Sequence, residues 1–436
     1  MNIIPHPYKP LLCISLFFLA LAALRAQDGG AEEAEIPAYA EFPGAVIQSF
    51  EVHGLERTKL SVIEPYYEPY IGKPYADFSE EILVQELRKM GIFNPEIKVF
   101  PREVPGSRET GVDIIIVLEE KWTFLPFPFA AATSGGSAYG GLGLLESNFL
   151  GYNKKIYAMG LVSNRGWQGM FGYTDPSLLG SDFGLNLNAG GSISERELVS
   201  ERDVLWQNYE TTDISFRGGL SWKAPGGITA GVTAGYLDRG VSEDFDSNFL
   251  PPDSARFAQS GLSFQYADIY YDSVLVYGFF FRAQCEYESS LTANAGSYSQ
   301  YEANLRHQIE IGDGHRLSFS ASGLHSPGAP LVMEREIGGK SVKTLPDGFI
   351  ADAAAAAQAS FEFILSTTSW GAFTAQAAYE AAIFSLDDSS PAYSHGPGAG
   401  IRVYLTKIAL PAFGIDVYYN IKTGEAYSSV YMGFSF

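Results

Sequence analysis

Residues 425–436 read EAYSSVYMGFSF, and this stretch decides the fold. Side chains alternate along an extended chain with a period of two. Val430, Met432, Phe434 and Phe436 therefore share one face, with Ser429, Gly433 and Ser435 on the other and Tyr431 as the exception. An apolar face for lipid and a polar face for an interior define a membrane-spanning β-strand. Phe436 closes that strand on an aromatic ring.

The rest of the chain extends the pattern towards the N-terminus. From Trp122 onward, alternating segments are separated by Gly, Asn, Asp, Ser and Pro, the residues that turn a chain. About 16 strands are expected, near 122–133, 137–148, 153–164, 167–175, 181–191, 210–223, 227–238, 257–270, 274–289, 297–311, 315–325, 349–364, 369–384, 395–406, 410–420 and 425–436. Longer polar loops are expected near 192–209, 239–256, 326–348 and 385–394. The Ala-rich run 352–358 (DAAAAAQ) reads as a strand with small side chains; a short helix is the rival reading, since Ala favours helix.

Composition agrees. Charged residues make up 18% of the 436, against roughly 25% in soluble globular chains. Aromatics reach 14%, with 46 Gly, and no apolar run of helical span length follows the N-terminus. The formal charge of −21 argues against a nucleic-acid partner, which demands clustered Lys and Arg.

The first 26 residues carry Lys9, an apolar run 11–24 and a small-residue exit, the pattern of a secretory signal peptide cleaved after Ala22 or Ala26. Residues 27–43 are acidic, rich in small side chains, and read as a linker. Cys13 lies in the leader, so Cys285 stands alone, and neither a disulfide nor a Cys-based metal site is expected. The His residues are scattered, and no phosphate loop or metal motif appears. No catalytic residue, cofactor or metal is expected, and the chain does not read as an enzyme.

Residues 44–120 form a separate small α+β unit. The segment 45–53 (AVIQSFEVH) alternates as a strand and ends at Gly54. Residues 59–70 have a helical apolar pattern broken by Pro65 and Pro69. A second helix starts at Phe78-Ser79-Glu80-Glu81, continues through Ile82, Leu83, Leu87 and Met90, and stops at Gly91. Strands follow over 97–104 and 112–118.

This order resembles the POTRA domain of outer-membrane assembly proteins. The residues that carry the resemblance are Phe50-Glu51-Val52-His53-Gly54-Leu55, Leu87-Arg88-Lys89-Met90-Gly91-Ile92-Phe93 and Val117-Leu118-Glu119-Glu120. Two early barrel turns extend it. Glu146-Ser147-Asn148-Phe149-Leu150-Gly151 is similar to an xxNxxG turn, and Tyr173-Thr174-Asp175-Pro176 to a Y-(T/S)-(N/D)-P turn. Together they resemble the BamA/TamA-type assembly and translocation superfamily over residues 44–436. The resemblance implies a barrel over 121–436 in a bacterial outer membrane, with the small domain in the periplasm. It also implies unfolded outer-membrane protein clients, periplasmic or lipoprotein partners, and outer-membrane lipid as surroundings. The terminal residues Val430, Met432, Phe434 and Phe436 would then be the signal for the chain's own assembly. Only one such small domain is present, which suits a reduced relative.

The superfamily's lumen loop carries Gly-Gly followed by Val-Arg-Gly and an aromatic. Residues 334–345 (EREIGGKSVKTL) keep Gly338, Gly339 and Val342 but put Lys343 for Arg, Thr344 for Gly and Leu345 for the aromatic. Lys offers a point charge where Arg offers a planar fork, so the loop either inserts on one ion pair or sits loosely. Glu362 is the candidate carboxylate for Lys343. Two functions stay open: assembly or translocation of other polypeptides, and a passive pore or surface-structural barrel.

Overall fold

In a computed structural model the chain is mainly β. The structure describes residues 42, 44–94, 96–104, 111–132, 138–242, 250–272, 275–312, 314–339, 341–368, 371–386, 390–405 and 412–433. The leader, nearly all of the expected linker, and Phe434 and Phe436 lie outside them.

The small unit holds β1 (Val46–His53), α1 (Glu64–Tyr67), α2 (Glu80–Lys89), β2 (Lys98–Glu103) and β3 (Gly111–Val117). Its sheet order is β1-β3-β2, parallel then antiparallel, so the most apolar strand is central. Pro65 and Pro69 break the first helical stretch into a single α-turn flanked by 3-10 turns. Ser79 caps α2, its Oγ accepting the Ile82 N–H at 3.3 Å, with Glu80 and Glu81 in the first turn. Gly91 ends it at φ +73°. Leu83 and Leu87 point into the core, whereas Ile82, part of the same apolar pattern in the sequence, is exposed, about a third of a turn away. Ile47, Ile63, Ile92, Phe93, Ile114 and Ile116 fill the same core.

Sixteen antiparallel strands make the second sheet. They are β4 (Phe124–Ala132), β5 (Ala138–Phe149), β6 (Lys154–Ser163), β7 (Gly166–Asp175), β8 (Phe183–Val199), β9 (Leu205–Ala224), β10 (Ile228–Val241) and β11 (Ala255–Asp272). β12 (Leu275–Ser290), β13 (Tyr298–Ile311), β14 (His315–His325), β17 (Ala353–Thr368), β18 (Gly371–Ser385), β19 (Ala392–Leu405), β20 (Ala412–Asn420) and β21 (Glu425–Gly433) complete it. Two short strands, β15 (Arg335–Glu336) and β16 (Ile350–Ala351), pair inside the loop between β14 and β17.

Alternation places Leu220, Val232, Leu262, Ile401 and Ile415 outward and exposed, while Glu362, Thr374, Glu380 and Asp416 face inward and are buried. An apolar exterior and a polar lumen are what a membrane barrel requires. No helix among the described residues is long and apolar enough to cross a membrane.

Two loop expectations need correction. The expected loop near 192–209 shrinks to residues 200–204, because Ser192 to Val199 ladder with residues 205–213. Its polar side chains mimic loop composition, but they belong to long strands lining an aqueous cavity. The loop near 239–256 likewise starts after Val241 and ends before Ala255. The Ala-rich run is strand, paired on both sides from Ala353 on, so its rival helix is absent. Ladder hydrogen bonds to two neighbours outweigh the helix propensity of Ala.

The sheet order starts at β4 and finishes at β21, and among the described residues no ladder joins the two. β4 carries Pro126 and Pro128. Proline has no N–H to donate, so it is confined to edges. Two residues apart, both leave the same side of β4 without donors.

The small unit docks on the β5–β6 turn. The Glu120 carboxylate accepts the N–H groups of Glu56, Arg57 and Thr58, the last at 2.7 Å. Asn148 Nδ2 donates to Thr58 Oγ1 at 2.8 Å, and the Lys59 N–H to the Gly151 carbonyl at 2.8 Å. Arg57 lies over the Trp122 ring at 5.1 Å. Gly151 has φ +78°, and a Cβ there would lie 2.1 Å from the Arg57 carbonyl. Gly151→Ala is therefore expected to cost about 1–3 kcal/mol at this junction. Limited proteolysis of the purified protein should then cut faster around residues 54–59; an unchanged rate would contradict the docking.

Candidate functional site

The loop between β14 and β17 starts at Ser326, whose N–H donates to the Asp352 carbonyl at 2.6 Å. Its tip is wound by the Gly-Gly pair. A Cβ on Gly338 would stand 1.8 Å from the Pro346 carbonyl, and Gly339 has φ +67°. The Gly339 N–H reaches the carbonyls of Val342 and Leu345, both at 3.1 Å. Ile337, Val342 and Leu345 pack with Ala351, Ala382 and Phe384 in an apolar cluster, and Ala354 and Ala356 of β17 lie against it. The small side chains of the Ala-rich strand leave that space.

Lys343 and Thr344 face the inward side of β18 to β20. Lys343 Nζ donates to Asp416 Oδ2 at 2.8 Å and lies 5.2 Å from the Tyr418 ring. The Thr344 N–H and hydroxyl both reach Glu380 Oε1, at 2.8 and 2.9 Å. The Thr344 carbonyl accepts from Asn420 Nδ2 at 2.8 Å. A glycine at 344 would lack that hydroxyl. Thr344 thus brings its own partner. Leu345, in place of an aromatic, is fully buried.

The wall makes room with glycines. Gly398 and Gly400 of β19 face inward, and a Cβ on them would lie 2.5 Å from the Tyr418 ring and 1.9 Å from Asp416 Oδ1. Tyr418 and Asp416 can therefore lie flat across β19. Tyr418 also accepts from Gln358 Nε2 at 2.6 Å.

The opposite wall grips the stem of the loop. Arg196 and Arg239 both donate to the Val332 carbonyl, at 2.8 and 2.7 Å. Arg196 also pairs with Glu336 at 3.2 Å, and Arg239 forms a fork with Asp213 at 2.7 and 2.8 Å. The Val199 N–H donates to the Gly348 carbonyl at 3.3 Å. The loop crosses the lumen and is tied to both sides.

Glu362 is not the carboxylate facing Lys343. It accepts from Arg402 at 3.0 Å, Tyr404 at 2.8 Å and Thr374 at 2.5 Å, and pairs with Arg316. Arg402 also lies 3.4 Å from Asp416. The order is Glu362, Arg402, Asp416, Lys343, so Glu362 supports the ion pair from one step away. Spacing along the chain could not separate these inward carboxylates.

Arg196, Arg239, Glu380, Arg402 and Asp416 escaped the sequence reading. Their signal was charge at inward positions of strands whose other face is apolar. Beside the loop lies a cavity of about 910 Å³, lined by nine carboxylates and six arginines, among them Glu195, Arg217 and Glu286.

The two early turns also have structural work. Asn148 Oδ1 accepts the Asn153 N–H at 2.8 Å while its amide reaches Thr58. Asp175 accepts the Ser177 N–H at 3.1 Å and pairs with Lys154 at 3.0 Å. At the C-terminal strand, Val430 pairs with the outward Ile415 and Met432 with Phe413; Phe434 and Phe436 lie outside the described residues.

No protein-family profile and no curated protein matches the chain. Solved structures do. BamA from Haemophilus ducreyi lacking POTRA domains 1–3 superposes with TM-score 0.55 at 11% identity, over 89% of this chain and 85% of that one. CdiB from Acinetobacter baumannii gives TM-score 0.58 at 13% identity, over 89% and 74%. CdiB from Escherichia coli gives 0.58 at 14%, over 89% and 76%. At these identities the likeness is one of fold.

Replacing Lys343 by Ala leaves Asp416 buried with Arg402 alone. Loop docking should weaken by about 1–3 kcal/mol, and single-channel recordings should show more frequent and larger openings than the parent. Openings identical to the parent would mean that the tip does not hold the lumen shut.

Proposed function

We propose that this chain is an outer-membrane barrel that assists the insertion of other outer-membrane proteins or passes polypeptides across the membrane, with its small domain in the periplasm. The observation that carries this reading is that, among the described residues, no ladder joins the sheet ends β4 and β21. A barrel strand edge without a partner is costly in lipid, where no water can satisfy the backbone. Keeping such an edge makes sense where another strand is to be received, because edge pairing is the general route of strand addition. Pro126 and Pro128 keep β4 from zipping fully, so the opening is written into the strand itself.

Two features support it. The lumen is crossed by a loop tied to both walls, which suits a gated barrel better than a passive pore. The small domain offers a sheet edge: residues 72–74 cover the start of β1, as the Gly72 N–H to Ile47 carbonyl bond of 2.8 Å shows, while among the described residues no strand ladders with the outer side of β2. In this reading β2 captures extended clients and passes them to the seam. The resemblance to the assembly superfamily and the shared barrel fold point the same way, as do the POTRA-like order of the domain and its docking at the barrel end.

Depletion in the native host should lower the membrane levels of other outer-membrane barrels, read by proteomics of the outer-membrane fraction. Unchanged levels of all of them, and of secreted proteins, would leave the pore reading. Pro126→Val with Pro128→Val restores the missing donors. That variant should show a higher melting temperature and several-fold lower client levels, since each added ladder bond contributes about 1 kcal/mol.

A further inference from the structure

Successive strands run in opposite directions. The β8–β9 turn at residues 200–204 and the β20–β21 turn at 421–424 therefore both lie at the barrel end opposite the docked β5–β6 turn. In sheet order they are well separated: β8 and β9 are the fifth and sixth strands from the β4 end, while β20 and β21 finish the other end. Yet the two turns meet. Lys422 Nζ pairs with Glu201 Oε2 at 2.8 Å, and Lys422 also lies 5.0 Å from the Tyr393 ring. The buried Tyr427 hydroxyl, 2.5 Å from Glu425 Oε2, lies 3.2 Å from the Glu201 carbonyl. Side chains thus join the two sides of the barrel at a level where no ladder links β4 to β21 among the described residues.

The β8–β9 hairpin reaches that far because its strands are long. β9 has 20 residues and β20 has 9, a difference of about 36 Å of extended chain. The excess carries apolar side chains: Leu198 and Tyr209 are fully buried and pack with Val332 and Met333 of the loop. Folding over the loop removes them from water. Three further contacts pin the hairpin. Arg165 of the β6–β7 turn pairs with Glu197 on the near side. In the middle, the Val199 N–H donates to the Gly348 carbonyl at 3.3 Å, and a Cβ on Gly348 would stand 2.3 Å from the Glu197 carbonyl. On the far side, buried Asn420 shapes the turn that presents Lys422. Its Oδ1 accepts the N–H groups of Lys422 and Thr423 at 2.9 and 3.3 Å, while its Nδ2 donates to the Thr344 carbonyl at the loop tip.

We infer that the β8–β9 hairpin is a releasable strap that ties the β4–β9 side of the barrel to β20 and β21 and limits how far the gap between β4 and β21 widens. This rests on the reading that the barrel receives strands at that gap. A swing of the β4–β9 wall away from β21 has to part Glu201 from Lys422 and draw the hairpin off Gly348. Both charged groups of the clasp are partly exposed, and such a pair holds weakly. The strap is therefore suited to release rather than to permanent closure. Asn420 holds both the Lys422 turn and the Thr344 carbonyl, so the strap and the loop tip share one support.

The test uses the full-length protein in nanodiscs, with Cys285→Ser and spin labels on Leu144→Cys of β5 and Ile415→Cys of β20, two outward positions on either side of the gap. Glu201→Lys and Lys422→Glu each set like charges together, and each should raise the population at wide label separation about two- to fivefold. The double exchange, Glu201→Lys with Lys422→Glu, should return that population to the parent value. Heat-modifiable gel migration reports whether each barrel is folded, and the milder Glu201→Gln should shift the distances the same way if a reversed variant does not fold. Unchanged distances in the folded single variants, or a double exchange as wide as the singles, would overturn the inference. Unchanged distances beside client levels that fall on depletion would sink the strap alone. Client levels that ignore depletion would sink the assembly reading instead, and the distances would still decide the strap.

Discussion

Asp416 is held between two cations, Lys343 of the loop at 2.8 Å and Arg402 of the wall at 3.4 Å. Arg402 in turn reaches Glu362 at 3.0 Å, and Glu362 pairs with Arg316. This chain of alternating charge runs from the barrel wall to the loop tip. Buried charges tolerate removal of a partner poorly, because the remaining ion has no water to replace it. The position of the loop tip at the wall depends on keeping that chain complete. A lysine suffices at 343 because Asp416 already has a guanidinium on its other side and Tyr418 lies beside the ammonium.

The chain of charges needs space, and the backbone supplies it. Gly398 and Gly400 let Tyr418 and Asp416 lie against β19, and Ala354 and Ala356 leave a hollow for Val342 and Leu345. The wall and the loop are complementary in shape as well as charge. Thr344 illustrates this coupling, since its hydroxyl meets Glu380 and Ser394 across a gap that a glycine would leave empty.

Firmness and openness are distributed unequally around the barrel. The junction with the small domain is tied by Glu120, Asn148 and Gly151 in a few residues. Opposite constraints rule at β4 and β21, where prolines of β4 remove donors and no ladder forms among the described residues. The lumen adds a third asymmetry, an excess of carboxylates over arginines in the cavity beside the loop.

Much of the fold was legible in the sequence. Period-two alternation marked sixteen strands, because lipid outside and a polar lumen inside impose opposite chemistry on successive residues. Ser79 and Gly91 marked the ends of α2, since capping is local. Polar strand extensions at 192–199 have the composition of a loop, and composition alone cannot tell a polar ladder from a turn. In the loop, Gly338, Gly339, Val342 and Lys343 were visible as a pattern, and their neighbours were not. Which carboxylate meets Lys343 depends on the register of β17 to β20 and on barrel curvature, which bring residue 343 beside 416 rather than 362. The sequence by itself determined alternation, caps and turns, because those act between near neighbours in the chain. Only the tertiary structure decided the partners of the buried charges, because closing the sheet around the loop sets distances between residues far apart in sequence.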